Sequence, residues 1–178
     1  MILSTHAVVG GAIASFLPAH PAAAFALAFA SHYALDAIPH WDYPIASASM
    51  DPKICGPMRL DRAFLRDLIT IGADGLLGTL AALLLFASPQ TLAVVLLGAF
   101  GAMLPDALQF LHARFPHEPL KTLQRLHRWA HSERKIQARV VAIGSQIALV
   151  VAVTGLSLAA HGTGLFTASL AAAPIGAP

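Results

Sequence analysis

Residues 140–160 read VVAIGSQIALVVAVTGLSLAA, an apolar run without a single charge. At 1.5 Å of helical rise per residue, a run of this length covers a hydrocarbon core of about 30 Å. Two further stretches have the same character. Residues 68–88 are interrupted only by Asp74, and residues 90–111 only by Asp106 near their end. Ser88 and Pro89 make the turn between them. The first 38 residues add a pair of shorter segments, 2–18 and 21–38, separated by the turn at Ala19, His20 and Pro21. Each is at the lower limit for crossing a bilayer, so this pair is read as a tight helical hairpin that spans or dips in.

The whole chain agrees with its apolar stretches. Its 178 residues suit one domain. The hydrophobic fraction is 57%, charged residues are only 11%, and the mean hydropathy is +0.69. A soluble domain carries about 25% charged residues, so this composition excludes a soluble enzyme and also excludes disorder. Cys55 is the only cysteine, which removes an intrachain disulfide and any Cys-rich zinc site. The expected fold is all-α: a polytopic membrane helical bundle of about five membrane-associated helices plus one cytoplasmic amphipathic helix. Residues 1–160 form the single domain, and 161–178 form a flexible Gly/Ala/Pro-rich tail.

Charge sets the orientation. Lys53, Arg59, Arg62 and Arg66 precede the segment at 68–88. Arg114, Lys121, Arg125, Arg128, Arg134, Lys135 and Arg139 follow the segment at 90–111. An antiparallel pair of spans puts both groups on one side, which the positive-inside rule makes cytoplasmic. Residues 119–139 read as a basic amphipathic helix lying there. The N-terminus has no Lys or Arg before its apolar run, so no secretory signal peptide is expected. The localisation expected is a bacterial inner membrane, multi-pass, with the basic loops cytoplasmic.

On this topology the unusual polar residues fall at one depth. His6 lies near the cytoplasmic start of the first helix, and His32 and Asp36 near the cytoplasmic end of the second. Asp74 is about two turns into the next span, and Asp106 is in the last turns of the one after. His127 and His131 ride on the basic helix. Ionisable groups at the membrane are costly and need partners. His32/Asp36 and His127/His131 are i,i+4 pairs that share a helix face and can grip one ion. A mixture of imidazole and carboxylate suits a divalent metal, zinc first, with manganese or iron as the other choices. Pro39 ends the second helix and leaves His40 and Asp42 on a loop over the layer, as extra ligands or as a general base. Trp41 and Tyr43 could equally belong to an interfacial aromatic belt.

Read together, the motifs are Thr5-His6, His32-x-x-x-Asp36, Leu104-Pro105-Asp106 and His127-Arg128-Trp-Ala-His131-Ser132. This set resembles the bacterial inner-membrane metal-dependent hydrolases of the LexA-binding group. More distantly it is similar to the zinc phospholipase C family. Ala130 replaces the Thr of the His-Arg motif, Leu108 and Gln109 stand where a second Asp and a His are common, and the His-x-x-x-Asp motif comes first rather than last. The resemblance implies metal ligands at His6, His32, Asp36, Asp106 and His131, and hydrolysis by metal-activated water. Asp74, His40 or Asp42 would act as general base, His127 would belong to the catalytic set, and Arg128 would hold a phosphate. The expected substrate is a phosphoester or a lipid-like molecule reached from the membrane, with membrane lipids as partners and no nucleic acid. The competing readings are a non-catalytic metal-binding membrane protein, and a docking protein whose basic helix sits on anionic lipid.

Overall fold

A computed structural model describes residues 1–47, 58, 60–134 and 136–162. The tail expectation falls, from residue 163 onward, outside the described residues, as do Lys53, Cys55, Arg59 and Lys135. Among the described residues there are six helices and no strand: α1 (Leu3–Ser15), α2 (Pro21–Asp36), α3 (Arg62–Phe86), α4 (Leu92–Arg114), α5 (Leu120–Ala130) and α6 (Arg139–Gly162). The protein is an all-α bundle.

The number of spans differs from expectation. Three helices are long and apolar enough to cross a membrane: α3, α4 and α6. α1 has 13 residues, or about 20 Å of rise, short of a bilayer core. It is the centre of the bundle instead of one leg of a lipid-facing hairpin, packed against α2, α3, α4 and α6. Nearly every residue from Thr5 to Ser15 is buried. α2, with 16 residues, is also below spanning length. Conversely α3 and α6 turn most of their large apolar side chains outward, among them Leu76, Leu77, Leu84, Val140, Val151 and Leu156. That outward apolar surface is what a lipid-facing helix presents.

Small residues let α1 sit at the centre. Gly10 of α1 lies against Gly98 of α4 so closely that a Cβ on either would collide with the backbone of the other. Gly78 of α3 is pressed in the same way on Ser4. Around these contacts Ala7, Val8, Ala12, Ala82, Phe86, Val95 and Ala99 form one buried cluster. Tight crossings of this kind are how helices gain packing energy where the solvent is lipid.

The start of α1 is closed by side chains from other helices. Ile2 at its N-cap supplies no side-chain cap. Asp74 of α3 accepts from the Ser4 N–H at 2.8 Å, and Gln146 of α6 accepts from the Ile2 N–H at 3.1 Å. Both acceptors meet the positive end of the helix dipole. Gln146 is buried and also donates to the Trp41 carbonyl at 3.2 Å.

The basic helix is shorter than the expected 119–139. It stops at Ala130, and His131 adopts an extended backbone. The chain beyond is held by main-chain bonds to the end of α2: Ser132 N–H to Asp36 O at 2.7 Å, and Ile136 N–H to His40 O at 3.4 Å. These pairings take donors that a continued helix would have used internally.

Replacing Gly98 with Val should cost on the order of 3 kcal/mol through overpacking. Thermal unfolding in detergent should show a lower Tm and a poorer folded yield. Gly144→Ala, where nothing lies near the added methyl group, should leave the Tm within a degree or so of the parent.

Candidate metal centre

The C-terminal turn of α2 places His32 and Asp36 one above the other on a face turned into the bundle. Both are buried, with Asp36 only 1% exposed. A carboxylate so removed from water costs several kcal/mol unless cationic partners surround it. Five imidazoles and the Met1 ammonium surround it. The Nε2 atoms of His6 and His40 lie 3.2 and 3.7 Å from Asp36 Oδ1. Those of His32, His127 and His131 lie 3.2, 3.5 and 3.9 Å from Oδ2. Asp106, at the end of α4, brings Oδ1 to 3.7 Å from both His32 Nε2 and His127 Nε2.

The other face of each imidazole decides its protonation. His32 Nδ1 donates to the Ala102 carbonyl at 2.8 Å, His40 Nδ1 to Ile38 O at 2.6 Å, and His131 Nδ1 to Ser132 O at 3.0 Å. A carbonyl oxygen only accepts, so the proton sits on Nδ1 in all three. In a neutral ring, Nε2 then faces Asp36 with its lone pair. Lone pair would face carboxylate with nothing between them. The Nε2 atoms of His6, His32, His40 and His127 and Oδ2 of Asp36 are buried and carry no well-aligned hydrogen bond. A backbone carbonyl on one ring nitrogen and an open second nitrogen is the usual orientation of a metal-ligating histidine.

The spacings fit an ion. With metal–ligand bonds of about 2.0–2.1 Å, two ligands of a tetrahedral zinc site stand about 3.3 Å apart. The imidazole N···O separations around Asp36 bracket that value and lie at or beyond the long end of a direct hydrogen bond. Two overlapping groups have ligand atoms close enough for one ion each: His32, Asp36, Asp106 and His127, and Asp36, His40 and His131. The described residues thus offer buried His/Asp groups that can hold a metal ion.

The loop after α2 completes the surroundings. Asp42 Oδ1 lies 2.8 Å from His40 Nε2, and Oδ2 lies 3.6 Å from His131 Nε2. The Met1 ammonium lies between carboxylates, 2.7 Å from Asp36 Oδ1 and 2.9 Å from Asp42 Oδ1. Burial opposes ionisation of Asp42, but His40 beside it and the Met1 ammonium hold its carboxyl well below the usual range. Burial also pushes the His131 imidazole below its ordinary value, against the pull of Asp36 and Asp42, which favours the neutral, ligating form.

A cavity of about 1050 Å³ opens on this cluster. Its charged and ligating lining includes Asp42, Asp106, His127, His131 and Glu133, with Arg125 and Arg128 of α5. Leu3, Leu68, Ile71, Phe110 and Trp129 are among its apolar lining. Trp129 is 83% exposed, on the amphipathic helix that borders the opening.

Of the residues singled out in the sequence, His6, His32, Asp36, His40, Asp42, Asp106, His127 and His131 converge here, and Arg128 borders the same cavity. His6 differs from the other imidazoles. It is fully buried, stacked on His32 at 4.1 Å between ring centroids, and belongs to neither four- nor three-residue group. Asp74 stands apart from both groups. Its Oδ2 accepts from Ser4 N–H and from the Tyr43 hydroxyl, so it closes α1 and anchors the loop. Burial and this carboxylate push the Tyr43 phenol up, keeping it the donor. The sequence reading places Tyr43 only in an aromatic belt and gives Gln146 no part. A single amide within an otherwise apolar span was the one signal that marked Gln146.

Detergent-purified protein equilibrated with zinc or manganese should retain the ion through desalting. His32→Ala/Asp36→Ala should lose it, as read by elemental analysis beside the intact chain. Equal metal in the two proteins would remove Asp36 from the centre. No family model, no curated protein and no solved structure matches this chain.

Proposed function

We propose that this protein is a membrane-embedded, metal-dependent hydrolase of the kind its motifs resemble, cleaving a phosphoester in an amphiphilic, lipid-like substrate. The observation that carries the reading is the joining of an imidazole–carboxylate cluster to a cavity lined by both charged and apolar side chains. The site sits at the end of the bundle where the described basic residues of α5 gather, which in a bacterial inner membrane would be the cytoplasmic face.

A divalent ion at His32, Asp36, Asp106 and His127 would supply Lewis acidity and lower the pKa of a water toward neutrality. Zinc suits this nitrogen and oxygen set best, with manganese or iron also compatible. The rest of the work falls to the chain. Arg128 pairs with the phosphate through its planar, bidentate guanidinium, and Arg125 adds charge beside it. Leu68, Ile71, Phe110 and Trp129 of the lining take the apolar part of the substrate and exclude water around it. Asp42 lines the cavity with Oδ1 on the Met1 ammonium and beside His40, so Oδ2 is the oxygen that would accept a proton there. Asp74 is engaged with Ser4 and Tyr43, so its part is to position the loop that carries Asp42.

Metal-loaded protein should hydrolyse short-chain phosphodiesters or phosphomonoesters in mixed micelles. Arg128→Ala should raise KM about tenfold or more, the loss of one charge-assisted phosphate contact, with a smaller change in kcat. His127→Ala should remove turnover. Protein that carries its metal and cleaves none of these esters would instead fit a non-catalytic metal-binding role.

A further inference from the structure

We propose that the centre is dinuclear, with Asp36 bridging two divalent cations. The second ion would be held by Asp36, His40 and His131, with Asp42 beside it. This rests on the metal-centre reading above and extends it from one ion to two.

Ligand surplus is the first ground. His32, Asp36, Asp106 and His127 already make a complete four-residue set, the number a zinc site ordinarily uses. Two more oriented imidazoles remain, and they share Asp36 in a separate group. The second ground is their aim. His40 and His131 each hold Nδ1 on a carbonyl, of Ile38 and Ser132, so each turns Nε2 toward the carboxylates. His40 is 2% exposed and its Nε2 carries no well-aligned hydrogen bond. The third ground is charge. Asp36 and Asp42 stand together here, and the ammonium of Met1 lies between them. The paired carboxylates already draw a cation to this place, and a metal ion there would displace the ammonium from both oxygens.

Both oxygens of Asp36 face ligands: Oδ2 faces His32, His127 and His131, and Oδ1 faces His40. A carboxylate between two ions is the arrangement that lets a paired centre steady both the attacking and the leaving oxygen of a phosphoester. The substrate class proposed above is the one such a pair serves.

The test uses the full chain in detergent, dialysed against Mn²⁺ alone, with metal counted by elemental analysis and coupling read by electron paramagnetic resonance. About two ions per chain with an exchange-coupled spectrum are expected. His40→Gln/His131→Gln should fall to about one ion with an uncoupled spectrum. The wild-type spectrum needs no variant, so a double variant that misfolds leaves the proposal testable. One uncoupled ion in the wild type, lost in His32→Ala/His127→Ala, would overturn the second ion and keep the hydrolase reading. Two ions that both survive His40→Gln/His131→Gln would overturn the assigned ligands. No ion in the wild type would overturn both readings.

Discussion

The buried carboxylate of Asp36 is the constraint from which the arrangement of this protein follows. A charge that has left water must be met by charge or by donors, and α2 supplies only His32 from its own face. The other partners come from every part of the chain: the Met1 ammonium, His6 from α1, His127 from α5, and His40 and His131 from the loops that follow α2 and α5. The backbone carbonyl of the same residue receives Ser132 N–H, so Asp36 also fixes where α5 ends. Side chain and main chain of one residue therefore tie the polar layer and the helix that roofs it.

Apolar packing provides the frame that holds this layer. The Gly10–Gly98 and Gly78–Ser4 contacts bring α3 and α4 against α1 at backbone distance. His6 sits one turn before Gly10, so the helix that makes the closest crossings also carries a buried imidazole. Asp74 and Gln146 then close the first turn of α1 from two neighbouring helices. Unsatisfied N–H groups at a helix start are expensive away from water. The same polar side chains that satisfy them set the depth of α1 relative to α3 and α6.

Much of this was legible in the sequence. The three long apolar runs became α3, α4 and α6 with ends shifted by a few residues, and the i,i+4 pairs marked the faces that meet. That His6, Asp36, Asp106 and His131 share a layer followed from topology alone. What the sequence concealed was the central place of α1. Its hydropathy is like that of a span, and only its length and the Gly10-Gly11 pair hinted at burial inside protein instead of lipid. The end of α5 was hidden for another reason: its amphipathic pattern continues past Ala130, while the bonds that stop it are to the backbone of α2. The part of Asp74 in closing α1 left no mark in the spacing, because its donors, Ser4 N–H and Tyr43, lie far away in the chain.

The central position of α1 has a consequence for how the molecule is made. α1 precedes in the chain all the helices that cover it, yet it is too short to rest across a bilayer by itself. Its closest contacts, Gly10 on Gly98 and Ser4 on Gly78, need α4 and α3, both later in the chain, so its final packing cannot precede theirs. The element at the heart of the finished bundle is thus translated before the helices that complete its packing. The polar layer to which His6 belongs needs more still, since it is complete only when α5 brings His127 to Asp36.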